Sequence, residues 1–227
     1  MYRAVYIAAI VALGACSHSF GERAHEQFHQ SVDAGAAPLV RVDNAAGSIT
    51  IEARPGAVDV AATKYARDEQ QLHLVTIDVH QSDGTVAIAT TYHAALTRAG
   101  VRYRIGVPAG ASLRISNVAG AVDIAGVDGG IRVETQAGEI AVDAGTVRAK
   151  RTIDLHATTG AVTLSIARGS DASVGAQSII GDFATDISGI TSSRENLIGV
   201  RGVGRIGNGS AQIRLTTTTG AIALRER

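Results

Sequence analysis

The sequence predicts an all-β fold: a parallel single-stranded β-helix, or β-solenoid, of about 20-residue turns, with an antiparallel N-terminal portion. Three observations carry that expectation. One segment recurs, its spacing is nearly regular, and the composition suits short strands joined by corners. The clearest copy is Leu113 to Ile124, L-R-I-S-N-V-A-G-A-V-D-I. Leu113 and Ile115 alternate into Asn117, two residues lead to Gly120, and alternation resumes with Val122 and Ile124. Period-two alternation places every second side chain on one face of a strand. Asn and Gly tolerate the positive φ of a tight bend, so the segment reads as strand, corner, strand.

The same pattern surrounds Gly47, Gly138, Gly160 and Gly220. Counted from each glycine, positions −7, −5, +2 and +4 are apolar in all five copies, and position −3 is small: Asn44, Asn117, Thr135, Ala157, Thr217. A weaker copy at Gly181 has Phe183 at +2 but Thr185 at +4. Successive corners from Gly120 lie 18, 22 and 21 residues apart, and Gly220 comes 39 further on, close to two periods. A single such turn cannot bury its apolar face alone, so neighbouring turns must stack and share a core. With 26 Gly, 3 Pro and no Trp among 227 residues, corners are plentiful and large aromatic anchors are few.

The N-terminus reads as an address. Arg3 precedes a run from Ala4 to Leu13, the length of a signal h-region and too short to span a bilayer. Leu13-Gly14-Ala15-Cys16 resembles the bacterial lipobox, which implies cleavage before Cys16 and acylation of its thiol and new amine. More than one acyl chain gives stable membrane anchoring. Ser17, a non-Asp residue after the cysteine, points to the outer membrane by analogy with bacterial sorting rules. The expected division is a lipoprotein signal peptide over residues 1–15, a tether and first short strand over 16–37, and the solenoid over 38–227. The only cysteine, Cys16, excludes an internal disulfide and cysteine-based metal sites.

In chain order, Leu39 to Ile51 is the first full repeat. Val58 to Tyr65 reads as a strand, and Arg67 to Leu74 holds one helical turn with Asp68 and Glu69 near its start. Val75 to Val79 and Val86 to Thr91 flank Ser82-Asp83-Gly84, a hairpin signal. Val101 to Val107 alternates and stops at Pro108. The span from about residue 56 to 107 is therefore expected to be antiparallel and to cover an open end of the solenoid. The remaining repeats run on from Leu113, with a looser, Gly- and Ser-rich stretch at 186–209.

Several patterns hint at chemistry. His25-Glu26-Gln27-Phe28-His29 matches H-E-x-x-H, but no helical stripe surrounds it; as a strand it would point Phe28 inward and both histidines outward. Gly202-Val203-Gly204-Arg205-Ile206-Gly207 matches G-x-G-x-x-G, yet it leads into Asn208-Gly209-Ser210 and another strand, not into the helix of a dinucleotide fold. Asp123, Asp128, Glu134, Glu139, Asp143 and Asp154 recur along the repeats, and some parallel β-helices use such carboxylates as polysaccharide lyases or hydrolases. Zero formal net charge and few aromatics argue against nucleic acid, and no cofactor, catalytic or metal site is expected.

V-R-V-D-N-A-A-G-S-I-T-I, Y-R-I-G-V-P-A-G-A-S-L-R-I-S-N-V-A-G-A-V-D-I and G-N-G-S-A-Q-I-R-L-T-T-T-T-G-A-I-A-L together resemble the bacterial putative-adhesin domains of unknown function, head-GIN-like β-solenoids often preceded by a lipobox. The resemblance covers roughly residues 38–227. It implies the β-solenoid fold and, by the family's name, adhesion; with the lipobox, the flat parallel faces and the missing helix after Gly207, the expectation is a non-enzymatic, lipid-anchored scaffold or binding surface of the cell envelope, for a protein or a glycan and not for a nucleotide. An envelope carbohydrate-active enzyme and an envelope stress or regulatory partner are the competing expectations.

Overall fold

The computed structural model describes residues 23–94, 99–195 and 198–227. The predicted corners organise it. The N-terminal part holds β1 (Ala24–Val32), β2 (Leu39–Ala46), β3 (Ile49–Ala53), β4 (Val58–Ala66), the single turn α1 (Glu69–Leu72), β5 (Val75–Ser82), β6 (Thr85–Tyr92) and β7 (Ala99–Val107). Then come β8 (Ser112–Ala119), β9 (Val122–Ala125), β10 (Ile131–Ala137), β11 (Ile140–Asp143), β12 (Thr152–Thr159) and β13 (Val162–Ile166). The C-terminal part holds β14 (Ala172–Ile180), β15 (Phe183–Thr185), β16 (Ile190–Glu195), β17 (Gly199–Ile206), β18 (Ala211–Thr219) and β19 (Ile222–Glu226).

Each repeat forms a layer of two strands that meet at its corner glycine, one strand in each of two sheets. The first sheet runs β1-β4-β7-β3-β9-β11-β13-β19-β15, and the second β16-β17-β14-β18-β12-β10-β8-β2-β6-β5. The layers pair in parallel and in register. The ladder Val40, Leu113, Ile131, Ile153, Ile213, Val174 therefore follows one repeat position through six layers. In the five clear copies the residues at −7, −5, +2 and +4 are all 3% exposed or less. They form one continuous aliphatic core between the sheets.

Two features correct the expected architecture. Both sheets are mixed, so a purely parallel single-stranded helix is not what forms. The expected antiparallel N-terminal portion is present, β1 and β4 on the first sheet and β5 on the second; the departure is at the C-terminal end, where β17 and β16 also run antiparallel. An unfinished parallel edge would expose a row of unpaired N–H and C=O groups, and these strands occupy it. The stacking order also departs from chain order. The Gly220 layer lies between those of Gly160 and Gly181, pairing β18 with both β12 and β14. At the other end β6 and β7 lie outside β2 and β3, which pair inward with β8 and β9. At each end of the column strands from inside the chain, β4–β7 at one and β14–β17 at the other, lie outside the regular layers, with β1 outermost beside β4.

The corner glycines are required twice over. Gly120 has φ +130°, a region that L side chains avoid. A Cβ there would land on the carbonyl oxygen of Gly47, the corner of the next layer. Gly138, Gly160, Gly220 and Gly181 stack in the same way, each on the glycine carbonyl of its neighbour. The amides of Gly47, Gly120, Gly138, Gly160 and Gly220 donate across to the adjacent layer at 2.8–2.9 Å. Position −3 buries a small side chain in the same corner, and in several layers its polar group caps the glycine carbonyls. The Asn117 amide donates to the carbonyls of Gly47 (3.1 Å) and Gly120 (3.0 Å), the Thr217 hydroxyl to Gly160 (3.0 Å), and the Ser178 hydroxyl to Gly220 (2.9 Å).

The opposite ends of the layers are irregular, and Arg151 ties two of them together. Its guanidinium is buried and donates to the carbonyls of Val127, Gly129 (2.9 Å) and Ala144 (2.7 Å). Burial pulls its pKa down from the ordinary guanidinium value, and Asp128 opposes that shift. The N-terminal cap adds tyrosines to its buried aliphatics. Tyr103 is 2% exposed, its hydroxyl 2.7 Å from that of Thr90, and the Tyr92 hydroxyl donates to Ala46 at 3.4 Å. Burial pushes Tyr92 up to about 12 and Tyr103 higher still.

Candidate binding faces

Because strand side chains alternate, the layers that build the core also build two outward faces. On the first sheet, positions +3 and +5 give the rows Thr50, Asp123, Ala141, Thr163 and Glu52, Ala125, Asp143, Ser165. The small residues leave a shallow groove of about 320 Å³ across β3, β9, β11 and β13. Its carboxylates are partly neutralised: Arg54 pairs with Glu52 at 2.7 Å and Arg227 with Asp143 at 2.7 Å.

On the second sheet, position −6 gives the row Arg41, Arg114, Arg132, Asp154, Arg214. Position −4 gives Asp43, Ser116, Glu134, His156, Thr216 beside it. Arg41 meets Asp43 at 2.9 Å, and Arg132 meets Glu134 at 2.8 Å with Asp154 at 3.9 Å. Arg132 is half-exposed, and its pKa is raised by the hydrogen bond to Glu134. A reading of the repeat that tracks only its apolar positions passes over this row. The signal is present in the sequence as arginine at −6 in four of the five clear copies.

A third feature is the C-terminal end of the column. A pocket of about 380 Å³ there is lined by Ile180, Asp182, Phe183, Ser192, Arg194 and Ile198. Ile179, Ile180 and Ile198 are 54%, 46% and 59% exposed.

The six recurring carboxylates do not converge. Asp123 and Asp143 face out from the first sheet, Glu134 and Asp154 from the second. Glu139 is exposed just after its corner, and Asp128 lies in the loop between β9 and β10. The H-E-x-x-H segment lies in strand β1, where His25 and His29 share a face and stand about 13 Å apart along the chain. Glu26 faces the other way and pairs with Lys64 at 3.0 Å, Phe28 packs on the core, and His29 meets Asp59 at 2.8 Å. A helical zinc pair needs the two histidines one turn apart, and the strand separates them. Among the described residues no group of three or more His, Cys, Asp and Glu is placed to hold a metal ion. The G-x-G-x-x-G run is strand β17, paired on both sides. Its glycines make room: a Cβ on Gly202 would strike the Phe183 ring, and one on Gly204 the backbone of Gly189 and Ile190. Leu13, Gly14, Ala15 and Cys16 lie outside the described residues, and no helix among the described residues is long and apolar enough to cross a membrane.

Comparison with known proteins places this architecture. A putative cell adhesion protein from Clostridium sporogenes ATCC 15579 superposes with a TM-score of 0.63, at 10% identity, over 90% of this chain and 100% of its own. A putative adhesin from Bacteroides fragilis NCTC 9343 aligns over 91% of this chain and 99% of its own, at 10% identity and a TM-score of 0.38. No curated protein matches the sequence. The first likeness shows a shared fold. The model of one family, described as Toastrack DUF4097, matches residues 40–225, and the chain belongs to that family of β-solenoid-like, putative-adhesin domains.

Proposed function

We propose that the protein is a non-enzymatic binding column of the bacterial cell envelope, held by lipid on Cys16 at the outer membrane and presenting its flat faces to a glycan or a protein. The observation that carries this reading is the pair of outward faces on which the same repeat position recurs, layer after layer, in register. Such a surface offers many equivalent contacts along one axis, which suits a long or repetitive partner better than a small substrate. The description of the Clostridium sporogenes relative as a putative cell adhesion protein agrees with it. The anchor also fits. β1, the first described strand after Cys16 in the sequence, is the outermost strand of the first sheet, at one end of the column.

The test is a panel of envelope and host polysaccharides and solubilised envelope proteins, presented to the full-length protein in detergent. Retention without chemical change of the retained material is expected. Cleavage of any polysaccharide would replace the reading with a carbohydrate-active enzyme. A single stoichiometric envelope protein captured in place of glycans would replace it with a regulatory partner. For the anchor, Cys16→Ala is expected to leave an unprocessed precursor or to shift the protein out of the membrane fraction. Unchanged processing and fractionation would overturn it.

A further inference from the structure

The arginine row on the second sheet assigns a ligand class to one of the two faces. We propose that Arg41, Arg114, Arg132 and Arg214 form a track for a linear acidic polysaccharide of the polyuronate type, running along the column axis; the proposal rests on the binding-column reading above. Successive layers stand about 4.8 Å apart, close to the length of one sugar residue in an extended glycan. Arg41, Arg114 and Arg132 occupy three consecutive layers. Asp154 fills the fourth and Arg214 the fifth, so the track spans about 19 Å at that spacing. A guanidinium can grip a carboxylate with two parallel N–H donors, and the carboxylates that an extended polyuronate turns toward this face recur along the same axis as the arginines.

The charge balance of the row identifies the ligand. Arg41 and Arg132 each have an acidic residue two positions along the same strand, Asp43 and Glu134. Arg114 has Ser116 there and Arg214 has Thr216. Beyond the backbone ladder, no guanidinium partner within hydrogen-bond or ion-pair distance is found for Arg114 or Arg214 among the described residues. Arg114 also stands directly between two other arginines. Like charges placed opposite one another destabilise a sheet, and with Asp43, Glu134 and Asp154 set against Arg41 and Arg132, the two cations left for an anion to relieve are Arg114 and Arg214. Around it the exposed Thr152 and Gln212 supply hydroxyl and amide groups for sugar hydroxyls. The outward positions of β2, β8, β10, β12 and β18 hold no Phe, Tyr or Trp, so the stacking platforms of a single-stranded nucleic-acid binder are missing from this face.

The experiment compares immobilised polygalacturonate with dextran, single-stranded DNA and phosphatidylglycerol vesicles, using the full-length protein in detergent and, for the vesicle arm, reconstituted protein. Polygalacturonate retention that weakens with salt and falls at least tenfold in Arg114→Gln/Arg214→Gln is expected, with dextran not retained. Arg225→Gln, on the other sheet, should leave retention unchanged. Arg114→Lys/Arg214→Lys should recover it only in part. Thermal unfolding of each variant checks that the fold is intact. Retention that survives the double glutamine variant overturns the track while leaving a binding column elsewhere on the surface. DNA or vesicle binding that matches or exceeds polygalacturonate, with the same arginine dependence, overturns the glycan assignment. A protein that retains no polyuronate but does retain another member of the wider panel loses only the track; one that retains nothing in either loses the column reading too.

Discussion

The middle of the column and its C-terminal end are built from the same repeat and differ in how strictly they keep it. In the layers cornered at Gly120, Gly138, Gly160 and Gly220, all four apolar positions are filled by Val, Ile or Leu and are 3% exposed or less. In the Gly181 layer, Phe183 and Thr185 take the last two positions and are only half-buried. A layer with neighbours on both sides loses packing above and below for any misfit, whereas an outermost layer has one neighbour per sheet position to satisfy. On the second sheet, β17 and β16 continue past it in antiparallel pairing; on the first sheet β15 is the last strand. Ile179 and Ile180 sit at −2 and −1, which are at least partly exposed in the middle layers too, so it is the half-buried Phe183 and Thr185 that mark where the core stops. How faithfully a copy keeps the repeat therefore records where it sits in the stack.

The sharpest way to break that comparison is at the corners. Gly120→Ala puts a methyl group on the Gly47 carbonyl at a φ of +130°, and the whole column would have to open to accept it. A loss of more than about 4 kcal/mol, or no folded protein, is expected. Gly145 also has positive φ, +59°, but no atom lies within 4 Å of its would-be Cβ. Gly145→Ala should cost only the left-handed backbone penalty, about 1–2 kcal/mol. Urea denaturation of the two variants measures both. Equal losses would mean that conformational freedom alone, and not layer-to-layer approach, fixes the corner glycines.

Core truncation sharpens the contrast between centre and end. Leu155 is fully buried between two complete layers, and Leu155→Ala should cost about 2–5 kcal/mol. Phe183, half-buried over Gly202, loses less on truncation despite its size, about 1 kcal/mol by the area it covers. If Phe183→Ala proves as damaging as Leu155→Ala, the last layer is as much a part of the cooperative core as the middle ones.

The sequence made the layers legible and left their order hidden. Alternation on either side of a glycine exposes each strand pair, and Ser82-Asp83-Gly84 and Asp68 mark the hairpin and the short helix; Asp68 caps α1 by accepting the Gln71 amide at 2.9 Å. Which layer pairs with which is a different matter. All the clear copies present the same aliphatic row, so the pattern that demands stacking is equally satisfied by any neighbour. The 39-residue gap before Gly220 counts periods along the chain, while the structure counts them in space. The weak Gly181 copy is the one clue that it lies at an edge. The arginine row is legible in the same sense: it repeats at −6 as plainly as the aliphatics do at −5 and −7. Outward positions carry no folding constraint to draw the eye to them.

The smallest effect tests how the chain is held where it doubles back to insert the Gly220 layer. Asp171, just before β14, accepts the Ser210 amide at 3.0 Å, and the backbone of Asn208 and Gly209 turns toward the same carboxylate. These bonds hold its pKa below the ordinary 3.8, the Ser210 amide most of all. The charged form is the bonded one, so the folded pKa is depressed relative to the unfolded chain. Its contribution to stability is then complete above 3.8 and drains away as pH falls through the lower folded value. Asp171→Asn keeps the shape and removes the charge. The gap in thermal midpoint between wild type and variant should be constant at neutral and mildly acidic pH and should close as pH drops below 3.8. A gap that persists undiminished into that acid range would show that the return of the chain is held by packing against β14 and β12, and that Asp171 only decorates a connection the core has already fixed.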